Sequence, residues 1–170
     1  MILPILKYGA PELRAVNKPV ETFDDELRKI VKNMIDTMYS SPGIGLAAPQ
    51  VGLGIQLTTI DLSVGEDPGQ LIVLCNPEII YQEGEQKCDE GCLSLPDFSE
   101  TVSRPLRIKV RGRNAEGEEV QFEADGLLAR CFSHEIDHLN GVLFIDHLSP
   151  IKRQLLKKQL KELSQKAGEK

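Results

Sequence analysis

The sequence predicts an α+β fold, in which mainly antiparallel sheets pack around a central helix and another helix ends the chain. Apolar residues recur at helical spacing in three segments, near the start, late in the chain and at its end. Short runs rich in β-branched residues, separated by glycine and proline turns, lie between the first two segments. The 170 residues suit one domain, residues 1–170, and an apolar content of 41% can fill its core.

The first predicted helix covers residues 25–39, and Asp24 is its expected N-cap. Residues 40–43, Ser-Ser-Pro-Gly, end the helical pattern because proline and glycine disfavour its continuation. The apolar residues at helical spacing are Leu27, Ile30, Val31, Met34, Ile35 and Met38.

The middle of the chain is predicted to form strands. Residues 55–60 and 71–75 are short β-branched runs, and the turn residues 65–69 separate them. Residues 107–110 and 120–124 alternate apolar and polar side chains around an Asn-Ala-Glu-Gly turn, which predicts an antiparallel hairpin.

Two further helices are predicted after the hairpin. One covers residues 126–140, with Asp125 as its N-cap and Gly141 as its left-handed end. The other begins at Pro150 after the cap Ser149, and the face opposite its apolar residues is rich in lysine. Its predicted apolar positions are Ile151, Leu155, Leu160 and Leu163.

Charge and composition exclude several classes of protein. The net charge of −6 argues against general DNA binding, although residues 150–170 form a basic helix and tail with a local charge of +5. No stretch approaches the roughly 20 apolar residues of a membrane span, and the N-terminus lacks the pattern of a secretion signal. We therefore expect a cytoplasmic protein whose four cysteines are reduced.

The sequence His134-Glu135-Ile136-Asp137-His138 on the second predicted helix indicates a metal site. At about 100° per residue, the two histidines lie roughly 40° apart on one face, so both imidazoles can bind one ion. Glu135 lies about 100° from His134, where a carboxylate can reach a water on the metal without being a ligand. This helix is therefore predicted to be both central and metal-binding.

A catalytic metal usually takes three protein ligands and keeps one position open. His147 lies beyond the predicted helix end, and Cys131 shares the crowded face of the two histidines, so the residues alone leave Cys88 and Cys92. If both cysteines bind, the result is a closed structural Cys2His2 zinc site, which gives Glu135 no role. A metallopeptidase with the same helix motif is the other alternative, but it usually takes His or Glu as its third ligand.

Three segments together resemble the signature of the peptide deformylase family. They are Gly43-Ile44-Gly45-Leu46-Ala47-Ala48-Pro49-Gln50, Glu90-Gly91-Cys92-Leu93-Ser94 and the histidine motif. They occur in the family's order and without a departure from its pattern, and the resemblance covers about residues 3–148.

This resemblance implies a specific reaction and site. It implies hydrolysis of the N-formyl group from the first methionine of new proteins, with a divalent metal, commonly Fe(II) and also Zn, Ni or Co. Cys92, His134 and His138 correspond to the metal ligands and Glu135 to the general base and acid. Gln50 and the backbone N–H of Leu93 correspond to the oxyanion-stabilising pair, while Ile44 and Gly45 belong to the strip that binds the substrate backbone.

Two further expectations concern residues around this site. Glu90 can pair with Arg104 and so support the metal ligands, although a solvated carboxylate is the alternative. The basic C-terminal helix can present a solvated face, or it can contact an anionic surface such as ribosomal RNA, where the substrate emerges.

Overall fold

The computed structural model describes residues 1–41 and 43–168, and it has the predicted α+β fold. Its helices are α1 (Asp25–Ser40), α2 (Gly126–Leu139) and α3 (Pro150–Gly168). Pro42, in the predicted end of the first helix, and residues 169–170, in the predicted basic tail, lie outside the described residues. The strands are β1 (Gly45–Ala47), β2 (Leu57–Ile60), β3 (Ile72–Glu83), β4 (Gln86–Cys92), β5 (Leu95–Arg104), β6 (Arg107–Arg113) and β7 (Glu119–Asp125).

The strands form two antiparallel sheets. Five of them lie in the order β1-β2-β3-β6-β7, which places β1 at one edge, and β4 and β5 form a separate hairpin. The predicted hairpin is confirmed as β6 and β7, which pair Val110 with Phe122. Helix α2 packs against β1, β2, β6 and β7, so it is the central helix of the fold.

The first two helices bury the residues that helical spacing selects. Asp24 caps α1, since its carboxylate accepts a hydrogen bond from the N–H of Leu27 at 3.0 Å. Phe132 and Ile136 of α2 belong to the same apolar cluster as Ile108 of β6. Burial of an apolar face accounts for most of the stability of such helices.

One predicted cap is confirmed and another is wrong. Gly141 follows α2 with φ of 74°, a left-handed conformation that glycine adopts without strain. Asp125 stands at the N-cap of α2, but its side chain makes no capping hydrogen bond. Instead the N–H of Gly126 donates to the carbonyl of Leu106, the residue just before β6. This hydrogen bond fixes the start of α2.

The predicted apolar face of α3 is wrong in part. Ile151 and Leu155 are 75% and 72% exposed, whereas Leu160 is buried. Leu156 and Leu163 pack with Leu160, so the buried face follows the spacing 156, 160 and 163. The cap of α3 is confirmed, because the hydroxyl of Ser149 accepts from the N–H of Lys152 at 3.2 Å.

Strands β1, β4 and β5 are absent from the sequence prediction, and β3 is much longer than predicted. Strands β4 and β5 contain mostly polar, partly exposed residues, so apolar alternation does not mark them. Strand β3 continues to Glu83 past Asn76 and Pro77, where an irregularity in the pairing with β6 and a φ of 53° at Asn76 accommodate the proline.

The structure also describes the cysteines and the character of the helices. All four cysteines are free thiols. Among the described residues, no helix has both the length and the apolar character needed to cross a membrane.

Candidate metal centre

Two elements bring three ligand side chains together. Helix α2 places His134 and His138 one turn apart, with their Nε2 atoms separated by 3.1 Å. Cys92 ends β4, and its Sγ lies 3.3 Å from the Nε2 of His138. In the described part of the chain, these three form the only group of histidine, cysteine and acidic side chains close enough to hold an ion.

The separations of these atoms fit a tetrahedral metal. With bonds of about 2.1 Å to nitrogen and 2.3 Å to sulfur, two nitrogens should lie about 3.4 Å apart and nitrogen and sulfur about 3.6 Å apart. The observed 3.1 Å and 3.3 Å are within about 0.3 Å of those values. Three donors leave the fourth position for a water or substrate, as a catalytic site requires.

Cys88 lies away from this centre. It precedes Cys92 by four residues in the same strand and pairs with Val102. At about 3.3 Å per residue, the two cysteines are separated by roughly 13 Å, so they cannot bind one ion together. The geometry therefore opposes the closed Cys2His2 site.

The predicted pairing of Glu90 with Arg104 is present. The guanidinium donates to both carboxylate oxygens, at 2.6 and 3.0 Å, and Nδ1 of His134 donates to Oε1 at 2.7 Å. Burial alone would raise the pKa of Glu90, but these hydrogen bonds and the nearby charges lower it to about 2. Because an ionised carboxylate only accepts, Nδ1 carries a proton and Nε2 is the atom that can face a metal. Burial lowers the pKa of His134, but hydrogen bonding with Cys92 and Glu90 raises it to about 10, so a metal that binds Nε2 displaces a proton from it.

Burial also controls the titration of His138 and Glu135. It lowers the pKa of His138 well below its usual value, which keeps this imidazole neutral and able to bind a metal. Burial raises the pKa of Glu135 to about 7. A carboxyl group that titrates near neutrality is suited to accept and return a proton.

Glu135 faces β1 without a protein partner for one of its oxygens. Its side chain is buried, and among the described residues nothing donates to Oε2. A Cβ added at Gly45 would lie 2.9 Å from Oε1 of Glu135. Any larger residue at this position would therefore displace the carboxylate of Glu135, in addition to obstructing the substrate approach that the sequence suggests.

Gln50 and Leu93 both lie next to Cys92. Gln50 accepts from the N–H of Ala47 through Oε1 at 3.0 Å, which orients its amide nitrogen toward Cys92 Sγ, 3.6 Å away. The same nitrogen donates to the hydroxyl of Ser94 at 3.2 Å. Leu93 follows Cys92 in the tight turn between β4 and β5.

These groups line one cleft of about 400 Å³. Ile44 and Gly45 form one wall at the free edge of β1, and Leu127 and Cys131 of α2 form another. Burial raises the pKa of the Cys131 thiol, so this cysteine remains protonated in the cleft wall. Every site residue selected from the sequence therefore lies at the same cleft, apart from His138, which is buried behind it.

The profile of the polypeptide deformylase family matches residues 2–154. The chain belongs to this family. A peptide deformylase of Acidobacterium capsulatum is 50% identical over 169 residues, which cover 99% of both chains. A crystal structure of a peptide deformylase from Legionella pneumophila shares 41% identity and a TM-score of 0.90, covering 100% of this chain and 99% of its own. Peptide deformylase 1B of Arabidopsis thaliana, in complex with an inhibitor, shares 40% identity and a TM-score of 0.93 over 98% of this chain and 93% of its own.

The deformylase site contains contacts that the sequence analysis missed. Ser94 is buried and accepts a hydrogen bond from Gln50. The only indication in the sequence that Ser94 belongs to the site was its place in the Glu-Gly-Cys-Leu-Ser segment. Arg104 also donates to Asp137 at 2.6 Å, and Nε2 of His147 lies 2.7 Å from the same carboxylate oxygen. No pattern in the sequence links these positions, since they meet only in the folded deformylase.

Proposed function

We propose that the chain removes the N-formyl group from the N-terminal methionine of new proteins and releases formate, using a metal held by Cys92, His134 and His138. One observation carries this proposal: an open set of three ligands lies beside a buried carboxylate, Glu135, that has one oxygen without a protein partner. The membership of the chain in the deformylase family gives the arrangement its substrate.

The metal and Glu135 have complementary tasks in this hydrolysis. When bound, a divalent ion supplies Lewis acidity, which makes water nucleophilic near neutral pH. Glu135 accepts the proton of the attacking water and later delivers it to the leaving amine. Its pKa of about 7 serves both directions of transfer.

Gln50 and Leu93 stabilise the negative oxygen that develops on the formyl carbon. The amide nitrogen of Gln50 is fixed by the Ala47 contact, and the N–H of Leu93 follows the ligand Cys92 directly in the chain. One such donor contributes about 3 kcal/mol to the transition state.

The strip of Ile44 and Gly45 binds the peptide backbone. These residues lie at the edge of the five-stranded sheet, where an extended peptide can add as a further strand. Hydrogen bonds between backbones do not depend on the side chains of the substrate. This independence suits an enzyme that must act on many different nascent chains.

The most direct test compares two peptides that differ only in the acyl group. Purified enzyme is incubated with formyl-Met-Ala-Ser or acetyl-Met-Ala-Ser, and formate and free amino acids are measured. The proposal expects formate from the first peptide and no cleavage of the second. Release of free methionine or a dipeptide would instead support the metallopeptidase alternative.

The metal is proposed to be Fe(II), with Zn, Ni or Co as substitutes. A thiolate and two imidazoles suit all four ions, and the preference for Fe(II) comes from the family resemblance. The enzyme is stripped by a chelator and reloaded anaerobically with each ion, and kcat/KM is compared.

Cys92→Ser should lose bound metal, whereas Cys88→Ser should keep it, and equal loss in both would contradict the ligand assignment.

The whole chain is proposed to act as one catalytic domain in the cytoplasm, with α3 as a contact to the ribosome. Three basic residues are exposed at helical spacing along one side of α3: Arg153, Lys157 and Lys161. Together with Arg14, they line a second cleft, which is separate from the one at the metal centre. We expect reversal of the three α3 charges to glutamate to abolish co-sedimentation with ribosomes, as deletion of residues 150–170 should. Unchanged sedimentation of the triple variant would refute the contact.

A further inference from the structure

A short N-terminal segment, residues 6–8, runs along both halves of the oxyanion site. The N–H of Leu6 donates to the carbonyl of Gln50 at 2.7 Å. The N–H of Tyr8 donates to the carbonyl of Ser94 at 2.8 Å. The segment therefore joins the residue that carries the side-chain donor to the turn that carries the backbone donor.

Lys7 lies between these two contacts and makes a third. Its ammonium donates to the carbonyl oxygen of Leu93 at 3.0 Å in a partly buried setting. A hydrogen bond from a charged donor is roughly twice as strong as one between neutral groups. Three consecutive residues thus bind three carbonyls at the oxyanion site, and only Lys7 does so with its side chain.

The turn that carries Leu93 depends on such contacts for its orientation. It has only two residues, Leu93 and Ser94, between the paired positions Cys92 and Leu95. Just before the turn, between Gly91 and Cys92, the pairing of β4 with β5 is irregular. The N–H and the carbonyl of Leu93 are separated by only two rotatable bonds. A group that holds the carbonyl therefore restricts the direction in which the N–H points.

We propose that Lys7 is a positioning residue for deformylation, which orients Leu93 so that its N–H meets the developing negative oxygen. This inference rests on the proposed function and on the proposed pairing of Leu93 with Gln50. Lys7 acts through Leu93 and touches neither substrate nor metal. Its loss should therefore lower kcat while KM and metal content stay unchanged.

The test compares four proteins: the wild type, Lys7→Met, Lys7→Arg and Lys18→Met. Lys7→Met removes the donor and keeps the length of the side chain, and Lys7→Arg keeps a charged donor. Lys18→Met makes the same charge change at an exposed side chain of the N-terminal region. Formate release from formyl-Met-Ala-Ser, bound metal and melting temperature are measured for each protein.

We expect Lys7→Met to lose about tenfold in kcat at unchanged KM, because misplacing a reacting group by a fraction of an ångström has an effect of this order. Lys7→Arg should recover most of the rate, and Lys18→Met should match the wild type. If Lys7→Met does not fold, Lys7→Leu, which also removes the donor, replaces it with the same expectations.

Several outcomes would overturn the inference. They are wild-type kcat in Lys7→Met, a loss of metal in proportion to the loss of rate, and a defect that Lys7→Arg does not recover. Each of them leaves the proposed function intact, provided that the wild type releases formate. If the wild type itself releases none from formyl-Met-Ala-Ser, the proposed function fails, and the two failures are thereby distinguished.

Discussion

Replacing Gly45 by alanine tests how closely β1 must approach the proton carrier. The added Cβ would lie 2.9 Å from Oε1 of Glu135 and 3.1 Å from its Cγ and Cδ. Favourable contacts between carbon and such atoms begin at about 3.5 Å, so the carboxylate must move by roughly 0.6 Å. Glu135 is only 3% exposed, so this movement has to displace packed neighbours.

The expected effect on the rate follows from this displacement. A misplacement of about 1 Å in a reacting group can lower a rate roughly 100-fold, so about 0.6 Å corresponds to a decrease of 10- to 20-fold. This equals about 1.5 kcal/mol in activation free energy. The decrease should appear in kcat, since the metal ligands Cys92, His134 and His138 remain in place. KM should also rise, because Gly45 belongs to the strip that is proposed to bind the substrate backbone.

The assay is formate release from formyl-Met-Ala-Ser, measured together with bound metal. Gly54→Ala is the matched control, because a Cβ added at Gly54 meets nothing within 4 Å. Gly45→Ala should be slow and fully loaded with metal, and Gly54→Ala should resemble the wild type. If Gly45→Ala keeps the full kcat, the position of the Glu135 carboxylate does not limit the reaction and the reasoning is wrong.

Three further predictions concern the supports of the site and the fold. Glu90→Gln should weaken metal binding about 10- to 100-fold, measured by competition with a chelator, because His134 loses the carboxylate that orients it. Formate release should fall as the pH is lowered through the pKa of Glu135, which burial raises to about 7 and a bound cation brings back down. Asp61→Asn should lower the free energy of unfolding by about 2 kcal/mol in urea titrations, because Tyr39, Ser63 and Gly65 all donate to this buried carboxylate. Those bonds outweigh burial and lower the pKa of Asp61, so its contribution should be full above about pH 4 and shrink as the pH falls through the lowered value.

Much of the site could be predicted because its chemistry is local in the sequence. His134, Glu135 and His138 lie on one helix whose apolar face is evident from spacing, and a helix fixes the relative direction of its side chains. The residues alone left Cys88 and Cys92 as candidates for the third ligand. The family resemblance selected Cys92 and supplied Gln50, since no local rule places a strand end or a short helical turn beside α2. The structure brings both to within 3.6 Å of each other.

The remaining features depend on contacts between distant segments. Strands β4 and β5 were missed because most of their residues are polar, and their few buried apolar residues, Leu95 and Val102, are too far apart to show alternation. The apolar positions Ile151 and Leu155 fit helical spacing as well as Leu156 and Leu160 do, and only packing selects the second pair. The role of Gly45 as a neighbour of Glu135 likewise depends on how closely β1 packs against α2.

The central claim is that Glu135 transfers the proton in a metal-dependent deformylation. The measurement that tests it most directly is formate release from formyl-Met-Ala-Ser by Glu135→Gln, with the bound metal of the same sample quantified. The account predicts a full complement of metal and a loss of at least about 100-fold in kcat. Formate release at the wild-type rate by a fully metallated Glu135→Gln protein would contradict it.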